Sequence, residues 1–91
     1  MEHKISNDEA TLICNKALET YGPAIQKVVA MEECGELIQA ISKSLRDKDH
    51  NVEEEIADTE IMCMQMRLAY DNKKVDQIKQ EKLKRLRGLV W

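Results

Sequence analysis

The stretch that most directly indicates the fold is residues 23–46, which read PAIQKVVAMEECGELIQAISKSLR. At 100° per residue, most of its aliphatic side chains fall on one side of a helix. Pro23 suits the first helical turn because a backbone N–H is not needed there. Gly22, just before it, is typical of a residue that ends a helix. The stretch therefore predicts a long amphipathic helix that follows directly on another one.

Capping and turn residues predict one helix before this stretch and one after it. Ser6 and Glu9 have the spacing of a capping box, so the first helix is expected to begin there and to run up to the glycine described above. The polar run 47–50 predicts a loop. Asn51 then has the position of an N-terminal cap for a third helix over roughly residues 52–70.

The last part of the chain predicts a fourth helix. Residues 71–72 form a break, residues 73–87 follow with helical spacing, and Gly88 is expected to end the helix. The expected fold class is therefore all-α, a single domain over residues 1–91 built as a small four-helix bundle. A chain this short buries too little surface to be stable alone, so we expect it to pack into a homodimer or homotetramer.

Composition excludes several classes of protein. The 91 residues are 43% hydrophobic and 34% charged, and only 3% are aromatic. The longest apolar run, 28–31, is four residues, whereas a membrane-spanning helix needs about 20. No basic, then apolar leader is recognised at the N-terminus, so no signal peptide and no membrane association are expected.

Cysteine and histidine positions favour a reducing compartment and oppose a zinc site. Cys14, Cys34 and Cys63 are odd in number and far apart, which predicts reduced, buried thiols and a cytoplasmic location. His3 and His50 have no cysteine nearby, so we do not expect zinc to bind.

The net charge of −3 is unevenly distributed. Residues 31–60 carry ten acidic and three basic side chains, whereas residues 61–91 carry eight basic and three acidic ones. This division fits either mutual neutralisation across the bundle or a cation site beside an anion site. Nucleic-acid binding through residues 73–87 is not expected, because the acidic middle of the chain and the scarcity of aromatic residues oppose it.

Two of the predicted helices each carry a pair of acids three residues apart. These acids are Glu33 and Glu36 in the second helix and Glu55 and Asp58 in the third. Side chains at this spacing project side by side, and both pairs adjoin apolar faces that offer no basic partner. Burying carboxylates is unfavourable unless a cation joins them, and oxygen ligands suit Mg²⁺ or Mn²⁺. The spacing predicts a divalent-metal site, with a solvated acidic face or a salt-bridge network as alternatives.

The register between the two pairs is left open by the sequence. Glu33 lies about 14 residues before the centre of the predicted loop and Glu55 about six after it, which is an axial offset of about 12 Å. The two pairs therefore either meet within one chain or require a kink or a partner chain.

Two segments, residues 32–37 (EECGEL) and residues 54–58 (EEIAD), resemble the Glu-Glu-x-x-Glu … Glu-x-x-Asp signature of the MazG-like all-α nucleoside triphosphate pyrophosphohydrolase superfamily. That superfamily includes dimeric dUTPases and phosphoribosyl-ATP pyrophosphohydrolases, and the resemblance extends over about residues 20–88. It implies Mg²⁺-dependent hydrolysis of a nucleoside triphosphate between the α and β phosphates. The products would be a nucleoside monophosphate and pyrophosphate, released by an oligomer whose active sites commonly lie between chains.

The resemblance also implies roles for individual residues. The implied Mg²⁺ ligands are Glu33, Glu36, Glu55 and Asp58. The candidate catalytic groups are Glu36 and Glu32, of which Glu32 is either a helper or a surface residue. Lys82 and Arg85, three residues apart on the last predicted helix, would bind the substrate phosphates.

Two alternatives stay open. The chain is either such an enzyme or a non-catalytic, oligomeric helical regulator or adaptor. Within the enzyme hypothesis, a phosphoribosyl-ATP pyrophosphohydrolase-like activity is the second possibility. The preferred base and sugar are not indicated by the residues.

Overall fold

The computed structural model describes residues 4–91. The expectation for His3 lies outside these residues, and the expectation for an N-terminal leader lies only partly within them. In chain order, the helices are α1 (Asn7–Tyr21), α2 (Pro23–Leu45), α3 (Val52–Ala69) and α4 (Asn72–Val90). No β-strand occurs in this range. The predicted all-α, four-helix fold is confirmed.

The first two helices are joined by a single glycine. The backbone N–H of Glu9 donates to the Ser6 hydroxyl at 3.1 Å, which caps α1 as the sequence predicts. Gly22 has a φ of 89°, a backbone conformation that favours glycine, and its N–H donates to the carbonyl of Leu18 at 2.9 Å. Pro23 then begins α2. This connection fixes the direction in which α2 leaves α1.

The connection between α2 and α3 begins with a sharp reversal at Asp47. Asp47 has a φ of 54°, its N–H donates to the carbonyl of Ser44 at 3.3 Å, and the N–H of Lys48 donates to the carbonyl of Lys43 at 3.1 Å. This pair of bonds is the Schellman arrangement, in which the left-handed residue is usually glycine. Aspartate tolerates the conformation better than most other side chains. Because the helix closes so tightly, the chain can turn back along α2 before α3 begins.

Two contacts define the register between α2 and α3. The Gln26 amide donates to the Oε1 of Gln65 at 2.7 Å, and the Thr59 hydroxyl donates to the backbone carbonyl of Glu33 at 3.4 Å. In this antiparallel register, α3 begins about 9 Å short of the C-terminal end of α2. The connecting segment is therefore asymmetric. The axial offset of about 12 Å between the two acid pairs, which the sequence predicts from the centre of the loop, does not occur.

α3 begins after Asn51 as predicted, but the hydrogen bonding of that residue and the end of α4 differ from the predictions. The Asn51 side chain does not cap α3; its amide instead donates to the Oε1 of Glu55 at 2.9 Å. Gly88 does not end α4, which continues to Val90. A glycine stops a helix by adopting a left-handed conformation, and Gly88 does not adopt one.

The core among the described residues is small. α3 is the central helix and contacts the other three, whereas α4 contacts α3 alone. The buried apolar side chains in residues 4–91 are Cys14, Ala40 and Met62. The expectation of buried thiols is therefore correct for Cys14 but wrong for Cys34 and Cys63, which are exposed on outward faces of α2 and α3.

The chain exposes more surface than a compact monomer of its size. Its accessible surface is 7809 Å², against about 5,400 Å² expected for a folded monomer of this mass. Its radius of gyration is 15.7 Å, against about 12 Å expected. All residues of α4 are exposed. None of the helices in the described chain is long and apolar enough to cross a membrane.

Candidate metal centre

α2 and α3 bring the predicted metal-ligating acids together within one chain. We call these four residues the carboxylate cluster: Glu33, Glu36, Glu55 and Asp58. Oxygen atoms of Glu33, Glu55 and Asp58 all lie within 4.8 Å of one another. The register explains this proximity, because it sets Glu33 opposite Asp58 and Glu36 opposite Glu55. Neither a kink nor a partner chain is needed for the acids to meet.

Two oxygens of the cluster are buried without a hydrogen-bond donor. The Oε2 atoms of Glu33 and Glu55 have no partner among the described residues. Glu55 is the more enclosed, with 7% of its surface exposed, and its other oxygen accepts from the Asn51 amide at 2.9 Å. A buried carboxylate oxygen without a donor is unfavourable, so it needs either a proton or a cation.

The electrostatics of the cluster favour the arrival of positive charge. Burial raises the pKa of Glu33, and the carboxylates of Glu36, Asp58 and Glu55 raise it further. Burial also raises the pKa of Glu55, with Glu36 as the next cause, while the bond from Asn51 acts in the opposite direction. These two groups therefore hold protons more tightly than free glutamates do. A cation that binds the ionised carboxylates would displace those protons.

The two candidate catalytic glutamates occupy different positions. Glu36 is exposed as a residue and is not among the three acids whose oxygens lie within 4.8 Å of one another, yet its charge is one of the causes that raise the pKa of both Glu33 and Glu55. It thus lies at the open edge of the cluster, where solvent can reach it. Glu32 is exposed and lies about 100° around α2 from Glu33. It is not among the acids that raise the pKa of Glu33.

The structure does not bring the candidate phosphate-binding residues to the cluster within one chain. Lys82 and Arg85 are exposed on α4 and border a shallow groove of about 220 Å³ on that helix. Basic groups are absent from the causes that raise the pKa of Glu33 and of Glu55. The one salt bridge in residues 4–91 joins α3 to α4, from Arg67 Nη1 to Asp76 Oδ1 at 2.7 Å.

The sequence-based prediction missed the polar residues that form hydrogen bonds between α2 and α3. Gln26 and Gln65 are hydrogen-bonded to each other, and both are buried. Gln26 lies seven residues before Glu33 and Gln65 seven residues after Asp58, so each shares a helix face with its acid. That spacing is visible in the sequence and is the pattern that would have found them. Thr59, whose hydroxyl reaches across to α2, has no such pattern.

The donor set fits a small, hard divalent cation. Mg²⁺ binds oxygens at about 2.0–2.1 Å, so oxygens on opposite sides of the ion lie about 4.1 Å apart. The three oxygens within 4.8 Å of one another are already close to that span. Carboxylates without histidine or cysteine favour Mg²⁺ or Mn²⁺ over softer metals.

Comparisons with protein-family models, with curated proteins and with solved structures found no match to this chain. The interpretation of the site therefore depends on its own geometry and chemistry. On those grounds, the cluster can bind a divalent cation through several carboxylates and leave one glutamate open to solvent.

Proposed function

We propose that the carboxylate cluster binds Mg²⁺, with Mn²⁺ as a substitute. The observation that carries this proposal is the pair of buried Oε2 atoms, on Glu33 and Glu55, that have no hydrogen-bond partner among residues 4–91. A hard cation satisfies both oxygens and offsets the repulsion among the acids. A protonated cluster would satisfy only part of this requirement, because a proton is shared by two oxygens at most.

The proposed reaction is hydrolysis of a nucleoside triphosphate at the bond between its α and β phosphates. The order and spacing of the acids support it, through their resemblance to the MazG-like signature. When bound, the cation neutralises phosphate charge and lowers the pKa of water. A water oxygen forms a bond to phosphorus, the bridging P–O bond breaks, and pyrophosphate and a nucleoside monophosphate leave.

Glu36 is the proposed proton acceptor in this reaction. It lies beside Glu33 and Glu55 but remains exposed, so it can reach a water molecule that the enclosed acids cannot. Acceptance of the proton by a positioned carboxylate is general base catalysis. Glu32, which lies outside the mutual contacts of the acids, is proposed as a helper acting from the surface.

A homo-oligomer is the proposed working form. An apolar strip on the outer face of α2, which we call the α2 seam, repeats at alternating spacings of three and four residues; it consists of Met31, Cys34, Ile38, Ile41 and Leu45. Such spacing is typical of helices that pack against another helix. Met31, Ile38 and Leu45 are 71%, 69% and 83% exposed. The excess accessible surface of about 2,400 Å² over a compact monomer is enough for a stable interface with a second copy.

The oligomer would also supply the missing positive charge. A triphosphate carries more negative charge than one divalent cation neutralises, so basic side chains are required near the cluster. Lys82 and Arg85 do not reach the cluster of their own chain, and α4 packs against α3 alone. We therefore propose that α4 of a second copy contributes them.

The oligomer is tested by substitution within the α2 seam. Ile38→Glu places a charge on the seam and is expected to lower the mass measured by light scattering. Gln39→Glu, at the adjacent exposed position off the seam, is the matched control and should leave the mass unchanged. A wild-type protein that is monomeric at every concentration would refute this part of the proposal.

The enzyme activity is tested with a panel of nucleoside triphosphates and phosphoribosyl-ATP, with Mg²⁺ or Mn²⁺. Release of pyrophosphate is expected from wild type, much less from Glu36→Gln, and nearly as much as wild type from Glu32→Gln. If phosphoribosyl-ATP is the only substrate hydrolysed, the activity is that of a phosphoribosyl-ATP pyrophosphohydrolase instead. If no substrate is hydrolysed with either metal, or if Glu36→Gln is fully active, the proposed reaction is wrong.

The exposed apolar surface also favours a second candidate function, a non-catalytic helical regulator or adaptor. Under that hypothesis, alanine substitution throughout the carboxylate cluster would leave the oligomer intact and raise its thermal stability. Under either function we propose a cytoplasmic location, because Cys14, Cys34 and Cys63 are all free thiols.

A further inference from the structure

The interface between α2 and α3 contains a buried amide pair one heptad away from the carboxylate cluster. Gln26 and Gln65 are 6% and 5% exposed, and the Nε2 of Gln26 donates to the Oε1 of Gln65 at 2.7 Å. The pair lies two helical turns, about 10.5 Å, from the level at which Glu33 faces Asp58. Both glutamines are therefore on the same seam between helices as the acids.

The amide pair contributes little to stability by burial. Each buried amide loses hydration, and the hydrogen bond between the two does little more than offset that loss. Apolar side chains of the same length would fill this space without losing any hydration. A different advantage must therefore explain two glutamines at these positions.

The surrounding core does not define a register by shape. In the described chain its buried apolar members are Cys14, Ala40 and Met62, which are small or flexible side chains. Methionine adapts to many packing arrangements, so it specifies helix position poorly. A slip of α3 by one turn would move its acids by about 5.4 Å, which exceeds the 4.8 Å that spans the oxygens of Glu33, Glu55 and Asp58.

We infer that Gln26 and Gln65 are positioning residues, which fix the register of α2 against α3 so that the four carboxylates converge on one cation. A single buried amide contact is known to set register between packed helices, because a directional bond is satisfied in one alignment only. Displacement of either helix leaves both amides buried without a partner. The inference rests on the proposed metal site.

The test replaces the amide pair by side chains of matched length. In Gln26→Met/Gln65→Met the packing volume is kept and the hydrogen bond is lost. Mn²⁺ affinity is measured by electron paramagnetic resonance, and thermal unfolding is measured separately without metal. We expect the double variant to bind Mn²⁺ about tenfold more weakly, comparable to loss of a group that orients ligands, with an unchanged or higher Tm.

Two further variants separate register from packing. Met62→Leu, a conservative change at the same interface between the acids and Gln65, should keep wild-type Mn²⁺ affinity. The single variant Gln65→Met should unfold at a lower temperature than the double variant, because it leaves the Gln26 amide buried and unpaired.

The outcomes are distinguishable. If wild type binds Mn²⁺ and the double methionine variant binds it equally tightly, the positioning role is overturned while the proposed function stands. If the double variant does not fold although Met62→Leu does, the pair serves stability and the inference is also overturned. If wild type itself binds no Mn²⁺, both the proposed function and this inference are wrong.

Discussion

The carboxylate cluster and α4 differ in how completely one chain assembles them. The cluster draws its acids from two helices, encloses Glu55 and supports it with a hydrogen bond from Asn51. α4 has no buried residue, contacts α3 alone and is tied to it through the ion pair of Arg67 and Asp76. The difference shows that one chain brings acids of α2 and α3 together but leaves the candidate phosphate-binding residues of α4 apart from them.

The largest expected effect is the loss of activity when Glu55, the enclosed acid of the cluster, is replaced. Glu55→Gln should lower metal-dependent kcat/KM by about 100-fold or more, because a ligand of the cation is lost. The same change should raise the Tm of the metal-free protein, since it removes a buried charge from among like charges. Steady-state kinetics and calorimetry measure the two effects.

The control for this variant is Glu53→Gln, an exposed acid in the same first turn of α3. It should change neither activity nor Tm appreciably. A lower Tm together with lower activity in Glu55→Gln would mean that the Glu55 carboxylate stabilises the metal-free fold, which contradicts the expectation that its burial among like charges destabilises it.

A smaller effect is expected on α4. Lys82→Ala and Arg85→Ala should each raise KM for the triphosphate about tenfold, equivalent to about 1.4 kcal/mol, without changing Mn²⁺ affinity. Lys84→Ala and Arg87→Ala, on the opposite side of the helix, are the matched controls. Equal losses in all four variants would show that α4 acts through its overall charge rather than through the two named residues.

The pH dependence of stability should distinguish the metal-free cluster from the metal-bound one. Burial raises the pKa of Glu55 above its ordinary 4.5, so the folded state holds this proton more tightly than the unfolded state does. The contribution of Glu55 to stability is therefore present below pH 4.5 and is lost as the pH rises through the raised pKa. Mg²⁺ binds the ionised form, so its stabilising effect should increase with pH.

Thermal unfolding of wild type and Glu55→Gln across this pH range, with and without Mg²⁺, provides the measurement. Without metal, the variant should gain stability relative to wild type as pH rises, and with Mg²⁺ that gain should shrink or reverse. If the difference in Tm between wild type and Glu55→Gln is the same at all pH values, with or without Mg²⁺, the raised pKa of Glu55 does not affect stability and this prediction is wrong.

The smallest effect is expected at the reversal after α2. Asp47→Gly should stabilise the protein by about 0.5 kcal/mol, because glycine adopts a positive φ without a steric penalty. Asp47→Ala should destabilise it by about 1 kcal/mol, since alanine disfavours that conformation. Urea unfolding measures both. Asp47→Gly should keep wild-type Mn²⁺ affinity, and its loss would mean that the aspartate side chain, not the backbone turn, supports the cluster.

Much of the fold was predictable because its causes are local. Ser6, Gly22 and Pro23 mark helix ends through bonds and backbone angles within a few residues, and the structure agrees with all three. Asn51 occupies the predicted N-cap position without making the capping bond, and the prediction that Gly88 ends α4 was wrong. Asn51 donates to an acid one turn later instead of capping the helix, and a glycine can continue a helix when nothing imposes a left-handed conformation on it.

The sequence by itself determined which acids share a helix face, because the helical repeat places residues three apart side by side. It also determined that the basic residues concentrate in the last third of the chain. Only the tertiary structure decided that Glu33 meets Asp58, that Glu55 is enclosed, and that Lys82 and Arg85 of α4 lie away from the carboxylate cluster of their own chain. These outcomes depend on the register of α2 against α3 and on one tight reversal between them. Such long-range geometry is set by packing and by a few directional hydrogen bonds, which the periodicity of a single helix does not encode.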